Sequence, residues 1–214
     1  MEIPNEVAVM TLPNQTLFPE ALLPLYIFER RYRRMLAEIL HTHRMFVVAM
    51  QRRGLSRESP SAVAGLGLIR VCVDNPDGTS HLILQGITRV ELTKSVQYKP
   101  FRISRIKMLQ TPARDSVAID ALMAKVRDLV SERVRLGLQS SPHSPKALSI
   151  KQIIPCLDKL SDPDRVADLV SDKLLIGPIQ RQTILETVEI EPRLKHLIHF
   201  LMAEIRQHRK NKGK

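Results

Sequence analysis

A change of texture near Gln110 constrains this chain more than any other feature. Before it, apolar residues come in short β-branched or Leu-rich runs punctuated by Gly and Pro; after it, they recur every three or four residues. One kind of element cannot satisfy both patterns, because strands send alternate side chains to opposite faces whereas helices gather every third or fourth on one stripe. The break falls at Thr111-Pro112-Ala113-Arg114-Asp115-Ser116, a breaker followed by N-cap candidates. The expected fold is therefore α+β in two parts. Residues 1–110 form a β-rich, curled sheet or pseudo-barrel carrying one helix, and residues 111–214 form a helical bundle with a basic tail.

Within the first part, strands are expected at Val7 to Met10, Leu22 to Ile27, Met45 to Gln51, Gly65 to Val73, His81 to Gln85, Thr88 to Val96 and Arg102 to Leu109. Asn75-Pro76-Asp77-Gly78 is a hairpin turn, since Pro presets one backbone angle and Gly supplies the positive φ that the next position needs. Gly86 is read as a second tight bend. The helix spans Glu29 to His41, with Tyr32, Met35, Leu36 and Ile39 on one face and Arg30, Arg33 and Arg34 on the other.

In the second part, Ile119, Leu122, Val126, Leu129, Val130 and Val134 stripe one helix over 115–138, and Leu194, Leu197, Ile198, Leu201 and Ile205 stripe another over 191–208. Ser161-Asp162-Pro163-Asp164 starts a helix capped by Ser161 and stopped by Gly177-Pro178. Shorter helices are expected at 148–160 and 180–188. Residues 139–146 are expected to be a mobile loop, and the tail after Ile205 a fraying basic end.

Chemistry is conspicuous by what the motifs lack. Gly65-Leu66-Gly67 offers two glycines of a dinucleotide fingerprint, but Arg70 takes the third place and a strand follows. No phosphate-cradling Walker A motif, no G-x-S-x-G elbow and no H-E-x-x-H is present. His196 and His199, like His41 and His43, have no further ligand residues at metal-binding spacing. Two cysteines, Cys72 and Cys156, are too few for a disulfide framework and are read as small buried residues. A non-catalytic chain needing neither cofactor nor metal is expected. No apolar run approaches the ~20 residues of a membrane span, and the acidic opening lacks a secretory leader, so a cytoplasmic protein is expected.

The 214 residues carry a formal charge of +11, with a pI near 10.1. Such charge favours weak, salt-sensitive nucleic-acid binding. Aromatics make up only 4% of the chain and tryptophan is absent, which is poor material for a base-stacking platform. A solvated basic surface is the simpler reading.

Leu12-Pro13, Leu17-Phe18-Pro19 and Leu23-Pro24-Leu25-Tyr26-Ile27-Phe28-Glu29-Arg30-Arg31-Tyr32 together resemble the opening of the Lon protease amino-terminal domain in letters and spacing. Gly65-Leu66-Gly67-Leu68-Ile69, Pro76-Asp77-Gly78 and Leu84-Gln85-Gly86-Ile87-Thr88-Arg89-Val90 are similar to that family's next signature. Ser161-Asp162-Pro163, Val166-Ala167-Asp168 and Gln182-Thr183-Ile184-Leu185-Glu186 are similar to its helical part.

The resemblance implies a PUA-like β subdomain joined to a helical bundle, of bacterial type, that recognises polypeptides. The AAA+ ATPase and Ser-Lys peptidase motifs of full-length Lon are not found, so the chain resembles stand-alone members of the family. Unfolded or partly folded polypeptides are the expected partners, with a separate protease or ATPase alongside. Nucleic acid, bound through the PUA-like half and the basic surface, is the alternative. The candidate peptide-binding residues are Leu17, Phe18, Leu23 and Tyr26, with Arg30, Arg33 and Arg34 nearby. Leu25, Ile27 and Phe28 are read as core, and Phe18 and Leu23 are open to either place.

Overall fold

The computed structural model describes residues 2–52, 54, 58–112, 116–138 and 150–212. It divides into two compact units, Met1–Leu109 and Gln110–Lys214. The first unit contains β1 (Glu6–Leu12), β2 (Leu22–Ile27), α1 (Arg30–Leu40), β3 (Met45–Met50), β4 (Val63–Asp74), β5 (Ser80–Gln97) and β6 (Arg102–Leu109). The strands form one sheet in the order β2-β5-β4-β3-β1-β6, and β6 also pairs with β5. That extra pairing closes five strands into a ring and leaves β2 as a flap on β5. All neighbours are antiparallel except β1 and β3.

Closure explains why β1 and β3 are buried on both faces. Val7, Val9, Met45, Val47 and Ala49 point into a ring interior that also holds Ala64, Leu66 and Val90. Ala8, Met10, Phe46 and Val48 point the other way, into a second core under α1 with Leu23, Ile27, Ile69, Leu82 and Leu84. The helix buries Tyr32, Met35, Leu36 and Ile39 there, the face its sequence periodicity predicts. Tyr32 then ties helix to ring, its hydroxyl donating to the Thr11 carbonyl and accepting from the Thr11 amide, both at 3.1 Å.

Gly86 is not a tight bend. β5 runs unbroken for 18 residues through it, and the register against β4 shifts beside it. The glycine is required by close approach: a Cβ at Gly86 would lie 1.9 Å from the Phe18 carbonyl oxygen, and one at Gly65 2.0 Å from that of Leu17. The 17–21 segment presses into these gaps, with the Glu20 amide donating to the Gly86 carbonyl (2.9 Å) and the Gly86 amide to the Ala21 carbonyl (2.8 Å). The Asn75–Thr79 turn does form a hairpin, with Gly78 at φ 77° and the Asp77 carboxylate accepting from the Thr79 amide and hydroxyl. Those two bonds hold the Asp77 carboxyl below its ordinary pKa.

The second unit contains α2 (Val117–Arg135), α3 (Ile150–Asp158), α4 (Pro163–Leu174), α5 (Pro178–Glu186) and α6 (Ile190–Lys212). Ile119, Met123, Val126 and Val130 of α2, and Leu194, Leu197, Leu201 and Ile205 of α6, are all buried. Two arginines are buried among them with no exposed surface, which a cation tolerates only when well paired. Arg133 donates to Glu204 and to the Leu174 carbonyl. Arg193 donates to Asp164 (2.5 Å), the Thr111 hydroxyl (3.0 Å) and the Thr187 carbonyl (2.7 Å).

Three boundaries differ from expectation. Asp162 caps α4 in place of Ser161, its carboxylate accepting from the Asp164 amide. Gly177-Pro178 does not stop α4, which ends at Leu174; it starts α5, with Pro178 in the first turn where its preset φ suits a helix. The basic tail does not fray at Ile205 but stays helical to Lys212, with Arg209 paired to Glu132 of α2. The expected loop at 139–146 lies outside the described residues. Cys72 is half-buried and Cys156 exposed, so neither is the buried residue expected. No described helix is long and apolar enough to cross a membrane.

Replacing Gly86 by Ala should destabilise the first unit by about 2 kcal/mol or more, because the obstacle is backbone and cannot rotate away; equilibrium urea unfolding measures it. His43 supplies a pH dependence. Its Nδ1 accepts from the Met45 amide at 3.0 Å, and burial holds its pKa below 6.5. The unfolded chain therefore takes up a proton that the folded chain resists. This contribution is complete above the unfolded pKa and is lost as pH falls below about 6.5. Urea midpoints at pH 7 and pH 5.5 should differ less in His43→Gln than in the parent.

Candidate functional site

Three of the residues expected to bind peptide are core. Leu17 is 1% exposed, Phe18 0% and Leu23 7%. The reason is the glycine-lined seat described above: with no Cβ at positions 65 and 86, the loop backbone sinks until its apolar side chains leave solvent. Leu17 and Leu23 join the cluster under α1.

Tyr26 is accessible, at 48%. β2 alternates, sending Leu23 and Ile27 toward α1, so Leu22, Pro24 and Tyr26 face the other side. Two rows of side chains run across the outer face of three strands: Pro24, Ile83 and Val71, then Tyr26, His81 and Val73. The Tyr26 ring stacks on His81 with centroids 4.7 Å apart and on Phe28 at 5.8 Å. Phe28 is 61% exposed, against the expectation of core, because it continues the outward series of Leu22, Pro24 and Tyr26 one step past the strand. The hollow between the rows measures about 430 Å³.

Val71 and Val73 reach this face through a local irregularity. Ile69 is buried under α1, and strict alternation would send Val71 and Val73 to that same side. The register against β5 instead shifts between Ile69 and Val71, so Arg70 is an extra residue, and the strand beyond it turns over. Arg70 Nε donates to Gln85 Oε1 at 2.5 Å. Cys72, now inward, packs against the core, and burial first and Asp74 second raise its thiol pKa.

The arginines do not join Tyr26. α1 packs on the inner face of the flap, so Arg30, Arg33 and Arg34 are exposed on the far side of the sheet from Tyr26. Arg33 reaches the hairpin tip, donating to the Asp77 carbonyl at 3.4 Å. Phe28, Val71, Val73 and His81 were missed by sequence reasoning. The alternation along β2 signals Phe28; nothing in the linear pattern signals the bulge.

The model of the ATP-dependent protease La (LON) substrate-binding domain matches residues 6–203. The chain belongs to this family. It is 21% identical over 207 residues to the Lon protease of Dictyoglomus thermophilum, covering 95% of this chain and 25% of that protein. The Lon protease of Brucella suis is 25% identical over 202 residues, covering 92% and 24%. The chain thus spans about a quarter of the length of these curated relatives. Its fold matches the N-terminal domain of a Mycobacterium avium complex Lon protease with TM-score 0.73, at 16% identity over 92% of this chain and 98% of that one. A Lon N-terminal domain protein from Xanthomonas campestris matches with TM-score 0.65 at 20% identity, covering 91% of this chain and 98% of that one. The α+β architecture and the family expectation hold. Among the described residues no group of three or more His, Cys, Asp or Glu is gathered to hold a metal.

Phe18→Ser should cost about 3–5 kcal/mol in unfolding free energy, whereas Tyr26→Ser and Phe28→Ser should each stay within about 0.5 kcal/mol of the parent. Urea titration of the three variants separates core from surface.

Proposed function

We propose that this chain is a non-catalytic polypeptide-binding module that holds unfolded or partly folded segments against the Tyr26–Phe28–Val71–Val73 face. One observation carries this reading: the flap has two apolar faces, and α1 covers only one. Exposed aromatic and β-branched side chains arranged in rows match the alternate side chains of an extended segment. β2 is the end strand of the sheet, so an extended client can approach from its free side, and Pro24 on that strand limits self-pairing between copies. The family's description as substrate-binding supports the same role. A separate protease or ATPase would then act on what the module holds, and the chain would work in the cytoplasm as an adaptor or chaperone-like factor.

The test is titration of a fluorescently labelled, permanently unfolded protein such as a reduced and alkylated secretory protein. Combined Tyr26→Ser, Phe28→Ser and Val73→Ser should weaken binding about tenfold or more while leaving the melting temperature near the parent's. Binding by the parent should change little with salt. Affinity unchanged in the triple variant, or binding of RNA or DNA that collapses as salt rises from about 50 to 200 mM, would move the function to the basic surface.

A further inference from the structure

A second hollow, of about 440 Å³, opens where β1, the start of α1 and the β5–β6 turn meet, and none of its lining belongs to the Tyr26 face. Ring surface runs through it from core to solvent: Tyr32 is 4% exposed, Phe101 3% and Tyr98 68%. Burial first, then Glu58, pushes the Tyr32 hydroxyl up to about 12, so it stays a neutral phenol.

The cations of this hollow are not equivalent. Arg31 is claimed by two carboxylates, Glu29 at 2.9 Å and Glu58 at 2.6 Å. Among the described residues, Arg102 is held by uncharged partners. Nη1 donates to the Ser95 hydroxyl at 2.9 Å, Nη2 to the Glu58 backbone carbonyl at 3.2 Å, and the guanidinium lies 5.0 Å from the Tyr98 ring centroid. Its position is therefore fixed while its charge has no carboxylate among the described residues, and three of its five N–H donors remain. Lys99 beside it is exposed and has no hydrogen bond or ion pair within the described residues. A preorganised guanidinium, a spare ammonium and an apolar wall stand together in a concave site of ligand size.

We propose that this hollow accepts a carboxylate carried beside an apolar side chain, as at the free C-terminal residue of a polypeptide or at an acidic residue next to an apolar one. The proposal rests on the polypeptide-binding reading and adds a second contact with its own chemistry. A single carboxylate matches what Arg102 and Lys99 offer once Glu58 has taken Arg31. A nucleic-acid strand brings a row of phosphates and needs a row of free cations, which the resident Glu58 carboxylate interrupts.

Fluorescence anisotropy tests it with an N-terminally labelled peptide ending in Phe-Leu, in three forms: free carboxylate, amidated, and amidated with Glu placed before the last residue. The free form should bind, and amidation should weaken it about tenfold or more. The third form regains affinity if side-chain carboxylates are accepted and stays weak if only the chain terminus is; either supports the site and names its source. Lys99→Gln should lower affinity for the free form several-fold with an unchanged melting curve, and Arg102→Gln should lower it further. The ratio of affinities for the free and amidated forms should be the same in Tyr26→Ser as in the parent, whatever that substitution does to the affinity both forms share. Equal binding of free and amidated forms, or affinity unchanged in Lys99→Gln and Arg102→Gln, overturns the proposal. If that equal binding is lost in Tyr26→Ser, the polypeptide-binding reading survives without this site. Single-stranded RNA binding that both cation variants abolish also overturns it, reassigning the hollow to phosphate.

Discussion

The first unit depends on a seat of glycines. Gly65 and Gly86 leave room for the carbonyls of Leu17 and Phe18, where any Cβ would lie at about half a normal contact distance. Gly67 does the same for side chains, since a Cβ there would meet Leu84 at 2.5 Å and Leu17 at 2.8 Å. Because the loop sinks, Phe18 is fully buried, Leu17 fills the second core, and the paired amides of Glu20 and Gly86 fix where β2 begins. The placement of β2 then sets the register of its pairing with β5, and with it which side chains face out.

The outer face of the flap follows from that register together with one inserted residue. β4 and β5 change partners along their length: they wall the ring at one end and cover α1 at the other. β4 passes from the ring core (Ala64, Leu66) to the core under α1 (Ile69) before Arg70, and the Arg70 bulge then changes which later residues face that same core, so that Cys72 packs inward. It leaves Val71 and Val73 in solvent beside Tyr26. The apolar face and the fold that exposes it have the same origin. The second unit achieves definition differently, through buried arginines whose fork of donors ties carbonyls and carboxylates of separate helices. Arg193 joins α6 to the residues just before it, to α4 and to Thr111, and Arg133 joins α2 to α6 and to the end of α4.

Much of this was legible beforehand. The α1 stripe, the hairpin at Asn75–Gly78, the capping of α2 by Ser116 and the opening block from Leu12 to Tyr32 are local signals, written in spacing and in residues with one conformational purpose. The candidate site was legible only in part. Tyr26 faces solvent, but Leu17, Phe18 and Leu23 are interior and the arginines of α1 lie on the other side of the sheet. Whether an apolar loop residue is buried depends on what approaches it from a distant part of the chain, and the glycines that admit Phe18 are some fifty and seventy residues away in sequence.

The sequence by itself determined the α+β class and the family, because hydrophobic period, breakers and caps act over a few residues. Only the tertiary structure decided ring closure by β5 and β6, the two-sided burial of β1 and β3, and the bulge at Arg70. Each depends on strand partners far apart in the chain, and a one-residue change of register reverses which face every later side chain presents. The same holds for Arg102. Its sequence neighbours show one more basic residue in a basic chain, and its setting comes from the neutral oxygens of Ser95 and Glu58 and the Tyr98 ring that the fold sets around it.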